Sequence, residues 1–111
     1  MELKMSDSQF LFDAGGNWIA FRLGRFVWDS DINWIGWLPW DDGHIVSVRG
    51  DYIGDIYPGD RLFRQHYSPY RGYPGYPGYP GYPGYPGYPG FAGYSGLPGG
   101  CSDVNLKQFR T

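Results

Sequence analysis

The chain has little that would crosslink it, metallate it or carry it through a membrane. Its one cysteine, Cys101, excludes both an intrachain disulfide and a cysteine zinc site. Its two histidines, His44 and His66, lie far apart and have no Cys or His partner at metal spacing. No stretch approaches the roughly 20 apolar residues of a spanning helix, and the opening MELKMSDSQFLFDAG lacks the apolar core of a secretory signal. Basic density is missing too: 9 Lys and Arg stand against 11 Asp and Glu, a net charge of −2, which argues against nucleic acid as a partner. No segment carries a 3.6-residue apolar period of helical length. These absences point to a soluble, cytoplasmic protein with no cofactor, no metal and no transmembrane segment.

What is present is an eleven-residue phrase written three times: LFDAGGNWIAF over 11–21, VWDSDINWIGW over 27–37 and IVSVRGDYIGD over 45–55. Two apolar residues open each copy. A polar turn follows, then Asn or Asp, an aromatic, Ile, and Ala or Gly. A repeated unit at this spacing dictates the fold more than any single residue does. Each copy reads as a hairpin: Phe10–Asp13 with Trp18–Arg22, Arg25–Asp29 with Trp34–Leu38, and His44–Val48 with Tyr52–Ile56. The first and third turns hold Gly16 and Gly50. The second holds Ile32 in that place, so a longer or different turn is expected there. Pro58-Gly59 supplies a type II turn before a seventh strand over Arg61–His66.

The fold class that follows is all-β: an antiparallel meander of repeated hairpins forming a shallow, pseudo-four-fold barrel, followed by a low-complexity tail. Three segments are expected, a hairpin-repeat domain over 1–66, an arm over 67–100 and a C-terminal segment over 101–111. A fourth unit begins at Leu62-Phe63 and then fails. Its missing strand has three candidate sources: residues 2–6, residues 103–109, or another protomer. Strand alternation places the aromatic column Trp18, Trp34 and Tyr52 on one face with Ala20, Gly36 and Gly54, where a small residue lets a ring lie over its neighbour. The column Ile19, Ile35 and Ile53 takes the other face. Both faces are then apolar, so one must be buried in an oligomer or serve for binding.

The phrases GNWIAF, INWIGW and GDYIGD, followed by YPGDRLFR, resemble the bacterial four-fold β-flower family, over about residues 10–66. The resemblance implies short hairpins about a pseudo-four-fold axis. It implies no established activity. By fold analogy with tubby-like barrels it admits binding of lipid head groups.

From Gly72 to Gly99 every third residue is Gly, beginning with six consecutive Gly-Tyr-Pro triplets. This is formally the collagen register, but Pro fills only the third place and the run is short. A disordered, polyproline-like, Tyr-rich arm is the expected state, able to associate with itself or with other tails.

Candidate sites reduce to aromatics. Asp13 and Asp29 share a repeat column, which suits turn acceptors better than a catalytic pair. Asp29-Ser30-Asp31-Ile32-Asn33 opens like a calcium loop, but Trp34 and Trp40 stand where Gly and Glu are needed. Gly15-Gly16 and Gly99-Gly100 lack the Lys-Ser/Thr of a phosphate loop. Trp18 and Trp34 are assigned to the core. Trp37, Trp40 and Trp28 are the candidate ligand-binding residues, since a core this small cannot hide every ring. The reading is a non-enzymatic binding or assembly module acting on lipid head groups or a protein, with a homo-oligomer open. The alternatives are an aromatic-rich carbohydrate-binding repeat protein and a collagen-like structural protein.

Overall fold

The computed structural model describes residues 8–40 and 42–110. The repeated phrase builds the same hairpin three times. Its third residue opens the turn and its seventh closes it, through Asp13 and Asn17, Asp29 and Asn33, and Ser47 and Asp51. In each pair the backbone N–H of the first donates to the carbonyl of the second, at 3.0, 2.9 and 2.8 Å. The opener's side chain then accepts from the closer's N–H, at 2.8 Å on Asp13, 2.9 Å on Asp29 and 3.1 Å on Ser47. The sixth residue is left-handed in every copy, with φ of 94° at Gly16, 65° at Ile32 and 91° at Gly50. Between opener and closer this is a three-residue loop ending in a left-handed position. The expectation of a different second turn is therefore corrected: Ile32 adopts the glycine conformation.

Eight strands result among the described residues: β1 Ser8–Phe12, β2 Trp18–Leu23, β3 Phe26–Asp29, β4 Trp34–Trp37, β5 His44–Ser47, β6 Tyr52–Tyr57, β7 Arg61–Gln65 and β8 Cys101–Asp103. They pair antiparallel in chain order, and a parallel bridge from Phe12 to Arg61 closes the ring. Among the described residues there is no α-helix, and no helix long and apolar enough to cross a membrane.

Each hairpin carries the same irregularity. Leu11 faces Ala20 but Phe12 faces Trp18, so Ile19 is skipped; Val27, Trp28 and Ile35, and Ile45, Val46 and Ile53, repeat the slip. A bulge of this kind interrupts strand alternation. It corrects the expected assignment of faces. The Ile column and the Ala or Gly after it both turn inward, and the aromatic column alone turns out. The interior is aliphatic, built on Leu11, Ala20, Val27, Ile35, Ile45, Ile53 and Leu62. The outer layer is aromatic, built on Phe21, Trp28 and Trp34 with Trp18 and Phe26 packed against them. Gly36 and Gly54 serve the approach of the next strand rather than an overlying ring. A Cβ on Gly36 would collide with the Val46 carbonyl, and one on Gly54 would lie 2.7 Å from the Phe63 carbonyl oxygen.

The fourth unit is completed from the C-terminal segment. β8 pairs with β7, Gln65 facing Cys101 and Phe63 facing Asp103. Of the three candidate sources, residues 2–6 lie outside the described residues, and the strand that forms begins two residues before the 103–109 window. Asp103 also seals the seam with the first unit, its carboxylate accepting the Ala14 N–H at 2.9 Å. In the second unit the corresponding N–H, that of Ser30, donates to the Ile19 carbonyl at 3.0 Å. A short 3-10 helix, Leu106–Phe109, then places Leu106 in the aliphatic core. Arg110 follows, its Nε 2.7 Å from Asp29 and its second nitrogen 2.8 Å from Asp31.

Candidate functional site: an aromatic face under a tyrosine arm

The aromatic column of the hairpins lies on the outside of the barrel. Trp18 and Trp34 are pinned there by their own strands, each indole N–H donating to the carbonyl two residues on, at 2.8 Å to Ala20 and 2.9 Å to Gly36. Phe21 stacks on Trp28 with centroids 5.5 Å apart. Tyr52 fills the third copy of the column. Its hydroxyl donates to Asp55 and accepts from the Gln65 N–H at 3.0 Å. Burial, reinforced by that carboxylate, pushes the Tyr52 phenol well above the ordinary tyrosine range. The ring lies between His44, stacked at 4.7 Å, and the Arg64 guanidinium at 4.8 Å. His44 in turn places Nδ1 3.2 Å from Asp55.

The arm lies on this face. Tyr76 and Tyr79 flank Trp34, with centroids at 6.0 and 5.6 Å. Tyr85 and Tyr88 flank Trp18, at 6.0 and 6.1 Å. The two pairs are nine residues apart, three triplets for each barrel unit. Nine extended residues reach about 30 Å at most, close to a quarter of the way around a body measuring 36 × 34 Å in its two longer dimensions. The arm travels against the order of the units, meeting the third turn first and the first turn last. Tyr73 comes against Gly50, where an added Cβ would lie 2.7 Å from its ring, and Gly93 comes against Gly16, where one would lie 2.5 Å from its carbonyl oxygen. Polar anchors sit at both ends. At the start, Arg71 pairs with Asp42 at 2.8 Å and covers the Trp40 ring at 4.1 Å. The His44 N–H and then Arg71 hold the Asp42 carboxyl below its ordinary value. At the end, the Ala92 N–H donates to Gly16 at 2.9 Å, the Ser95 N–H to Ala14 at 2.8 Å, and Arg61 bridges the carbonyls of Asp13 and Ala92.

The arm differs from its expected polyproline form. Glycines 72 to 93 hold φ between 82° and 93°, where a collagen or polyproline II chain needs about −75°. Yet no turn or bend interrupts residues 69–98. The chain stays extended, and its tyrosine rings lean on Trp34 and Trp18 at their edges while keeping most of their surface in solvent. Every third residue from Tyr67 to Tyr94 is aromatic, and all ten side chains are 59–81% exposed.

The candidate ligand residues divide. Trp28 and Trp37 are buried, at 4% and 8% exposure, and offer no open surface; that expectation is corrected, because Trp28 packs into the outer aromatic cluster. Trp37 is held under Arg25 at 5.3 Å. Trp40 alone keeps a place at a cleft, with His44, Tyr52, Tyr70 and Arg71, of about 100 Å³. Trp34 is buried as assigned, whereas Trp18 is only half-buried beneath the arm. Asp13 and Asp29 are turn acceptors. Cys101 lies 3.3 Å from the Tyr57 hydroxyl, a contact that helps push the phenol up to about 12. Among the described residues no cluster of His, Cys, Asp or Glu is arranged to hold a metal ion. The arginines are dispersed: Arg25 donates to Leu38 and Pro39, Arg61 is buried against Asp13, and Arg64 is held at Tyr52. Residue reasoning named the regular tyrosines of the arm as contacts but did not place them on the barrel's aromatic face. The signal available was their constant spacing, but not the face they would lie on.

Compared with known proteins, the chain matches no family model, no curated protein and no solved structure.

Proposed function

We propose that this protein is a non-enzymatic assembly module, a closed barrel that displays a ring of tyrosines to protein partners. One observation carries the reading: ten aromatic side chains at unbroken three-residue spacing, each more than half exposed, on an arm tied down at both ends. Tyrosine offers large, stiff contact area at low entropic cost, and pre-organising it on a scaffold lowers the cost further. The lipid head-group reading, suggested by the resemblance to the four-fold β-flower family, has less support. Arg25, Arg61 and Arg64 are committed to carbonyls and a ring, and the chain carries a net charge of −2.

A carbohydrate reading is favoured by the same regularity, since flat rings roughly 10 Å apart on an extended chain suit a repeating polymer. The test replaces the four tyrosines with the largest exposed fractions, Tyr67, Tyr70, Tyr82 and Tyr94, by Ser in the full chain. Sedimentation velocity over a concentration series should show association in the parent and its loss in the variant. Association unchanged by the replacements sinks the reading. Retention on a glycan array would move the assignment to carbohydrate, and retention on phosphoinositide vesicles would move it to lipid.

A further inference from the structure

We propose that the arm and β8 form an exchangeable donor element, so that residues 67–110 of one copy can complete the barrel of another. The division of partners supports this. The receiving groups all lie in residues 8–65: Gly50 and Gly16 as cradles, Trp34 and Trp18 as platforms, Asp42, Asp29 and Asp31 as ion-pair acceptors, and β7 as the strand edge. The delivering groups all lie in residues 67–110: Tyr73, Gly93, the paired tyrosines, Arg71, Arg110 and β8. Nothing in the delivered element depends on coming from the same chain. A second copy offers identical contacts, which makes exchange a low-cost route to a closed dimer or an open chain of copies.

The middle of the arm is lightly held. Between Arg71 and Ala92 its glycines have open space around them: an added Cβ at any of them from Gly72 to Gly90 would meet nothing within 4 Å. Its grip along this run is ring against ring, and its backbone hydrogen bonds to the described part of the barrel begin at Ala92. β8 adds three residues to the sheet. The tether sets the balance. β8 is presented to its own β7 at an effective concentration on the order of mM for a flexible connection. The self-completed barrel therefore dominates in dilute solution, and exchange rises as the protein concentration approaches that value. This inference names the partner for the assembly reading and rests on it only in taking a second copy as the partner.

The register supplies a trap. Gln65 faces Cys101 across β7 and β8, so Gln65→Cys places a thiol opposite the natural one. Equal amounts of unlabelled and nitrogen-15-labelled full-length Gln65→Cys chain are mixed, incubated, oxidised and digested. Mass spectrometry of the peptide pair joined between the introduced thiol and Cys101 then reports whether both halves came from one chain. The mixed-isotope fraction should be near zero at about 10 µM and climb toward about one half at mM concentrations. An isotopically uniform crosslink at mM concentration overturns exchange. Failure of the crosslink, repeated in the adjacent pair Arg64→Cys with Ser102→Cys on a Cys101→Ser background, overturns it as well, because β8 would not lie on β7. The two readings separate cleanly. Association through the tyrosine ring persists in the chain locked by its own crosslink, and exchange persists in the tyrosine-to-serine variant.

Discussion

Three hairpins of this barrel close through four or five residues between their strands, and the fourth closes through the 35 residues 66–100. The ring geometry is the same, but the chain reaches it by different means. Lengthening a closing loop this much costs only about 2 kcal/mol of extra entropy, because the cost grows with the logarithm of length. The short hairpins meet their cost locally, with a side chain capping each turn. The fourth meets it at a distance, by laying its loop along the outer face and by setting Leu106 into the core after β8. A long loop thus becomes a structural element, and its tyrosines become a surface.

The largest effect should come from the column that the short hairpins use to approach one another. Gly36→Ala would drive a Cβ into the Val46 carbonyl, and backbone cannot move aside as a flexible side chain can. A loss of about 3 kcal/mol is expected by urea unfolding, at the upper end for overpacking. In the first unit the same column already holds Ala20, so Ala20→Gly should cost less, about 1–2 kcal/mol from backbone entropy and one buried methyl. Equal losses for the two changes would show that the units are not equivalent in the way the register indicates.

The turn acceptors sharpen the comparison. Asp13 serves its own turn alone, taking the N–H and amide of Asn17. Asp29 is 3% exposed, takes the N–H groups of Asp31 and Asn33, and receives Arg110 from the end of the chain. Asp29→Ala leaves part-buried donors without acceptors and should cost about 2 kcal/mol, against about 1 kcal/mol for Asp13→Ala. Thermal unfolding of the two variants, and of Asp29→Ala combined with removal of Arg110, would test whether the excess belongs to the C-terminal plug. The excess should vanish in the shortened chain.

A smaller effect is expected on the arm. Tyr76→Ser with Tyr79→Ser removes both rings beside Trp34 and should cost about 1 kcal/mol, the scale of aromatic pairs at a half-open surface. The tryptophan emission should shift to the red as water reaches the indole. The same pair of changes at Tyr67 and Tyr94, which are 81% exposed, should leave stability within about 0.5 kcal/mol. A loss from the outer pair as large as from the inner one would mean that the arm does not distinguish platform from solvent.

How much of this was legible in the sequence follows from where the information sits. The first three hairpins could be read from local chemistry, because openers, turn and closers all fall within eleven residues. The bulge could not be read, because no residue type in the phrase announces it. Ile19 and Ala20 look like strict alternation until Phe12 is found opposite Trp18. β8 escaped precise placement because Cys101-Ser102-Asp103 carries none of the phrase, and its partner lies across the whole arm. The docking of the arm is a match of two periods, nine residues against one barrel unit, and neither period alone says which face the other will meet. The aromatic candidates failed at Trp28 and Trp37 for a related reason. Composition says that some rings must be exposed, but only the outer layer's packing says which.

The smallest effect concerns the one turn that breaks its own rule. Ile32 holds φ at 65° where the equivalent positions are Gly16 and Gly50. A left-handed backbone costs a residue with a Cβ about 1–2 kcal/mol, and more for a β-branched one. Its side chain offsets this by packing against the outer aromatic cluster of Phe21, Trp28 and Trp34, and burying part of a side chain of that size contributes about 1–2 kcal/mol. Ile32→Gly removes the strain and the packing together, so its unfolding free energy should stay within about 0.5 kcal/mol of the parent. The reverse change separates the two terms. Gly50→Ile imposes the same strain and also sets a Cβ 2.7 Å from the Tyr73 ring, so the loss should exceed about 2 kcal/mol. Repeating Gly50→Ile with the arm's Tyr73 changed to Gly should recover the steric part and leave the strain. If it recovers nothing, the arm does not rest on the third turn, and the contrast between short and long closures fails at its first point of contact.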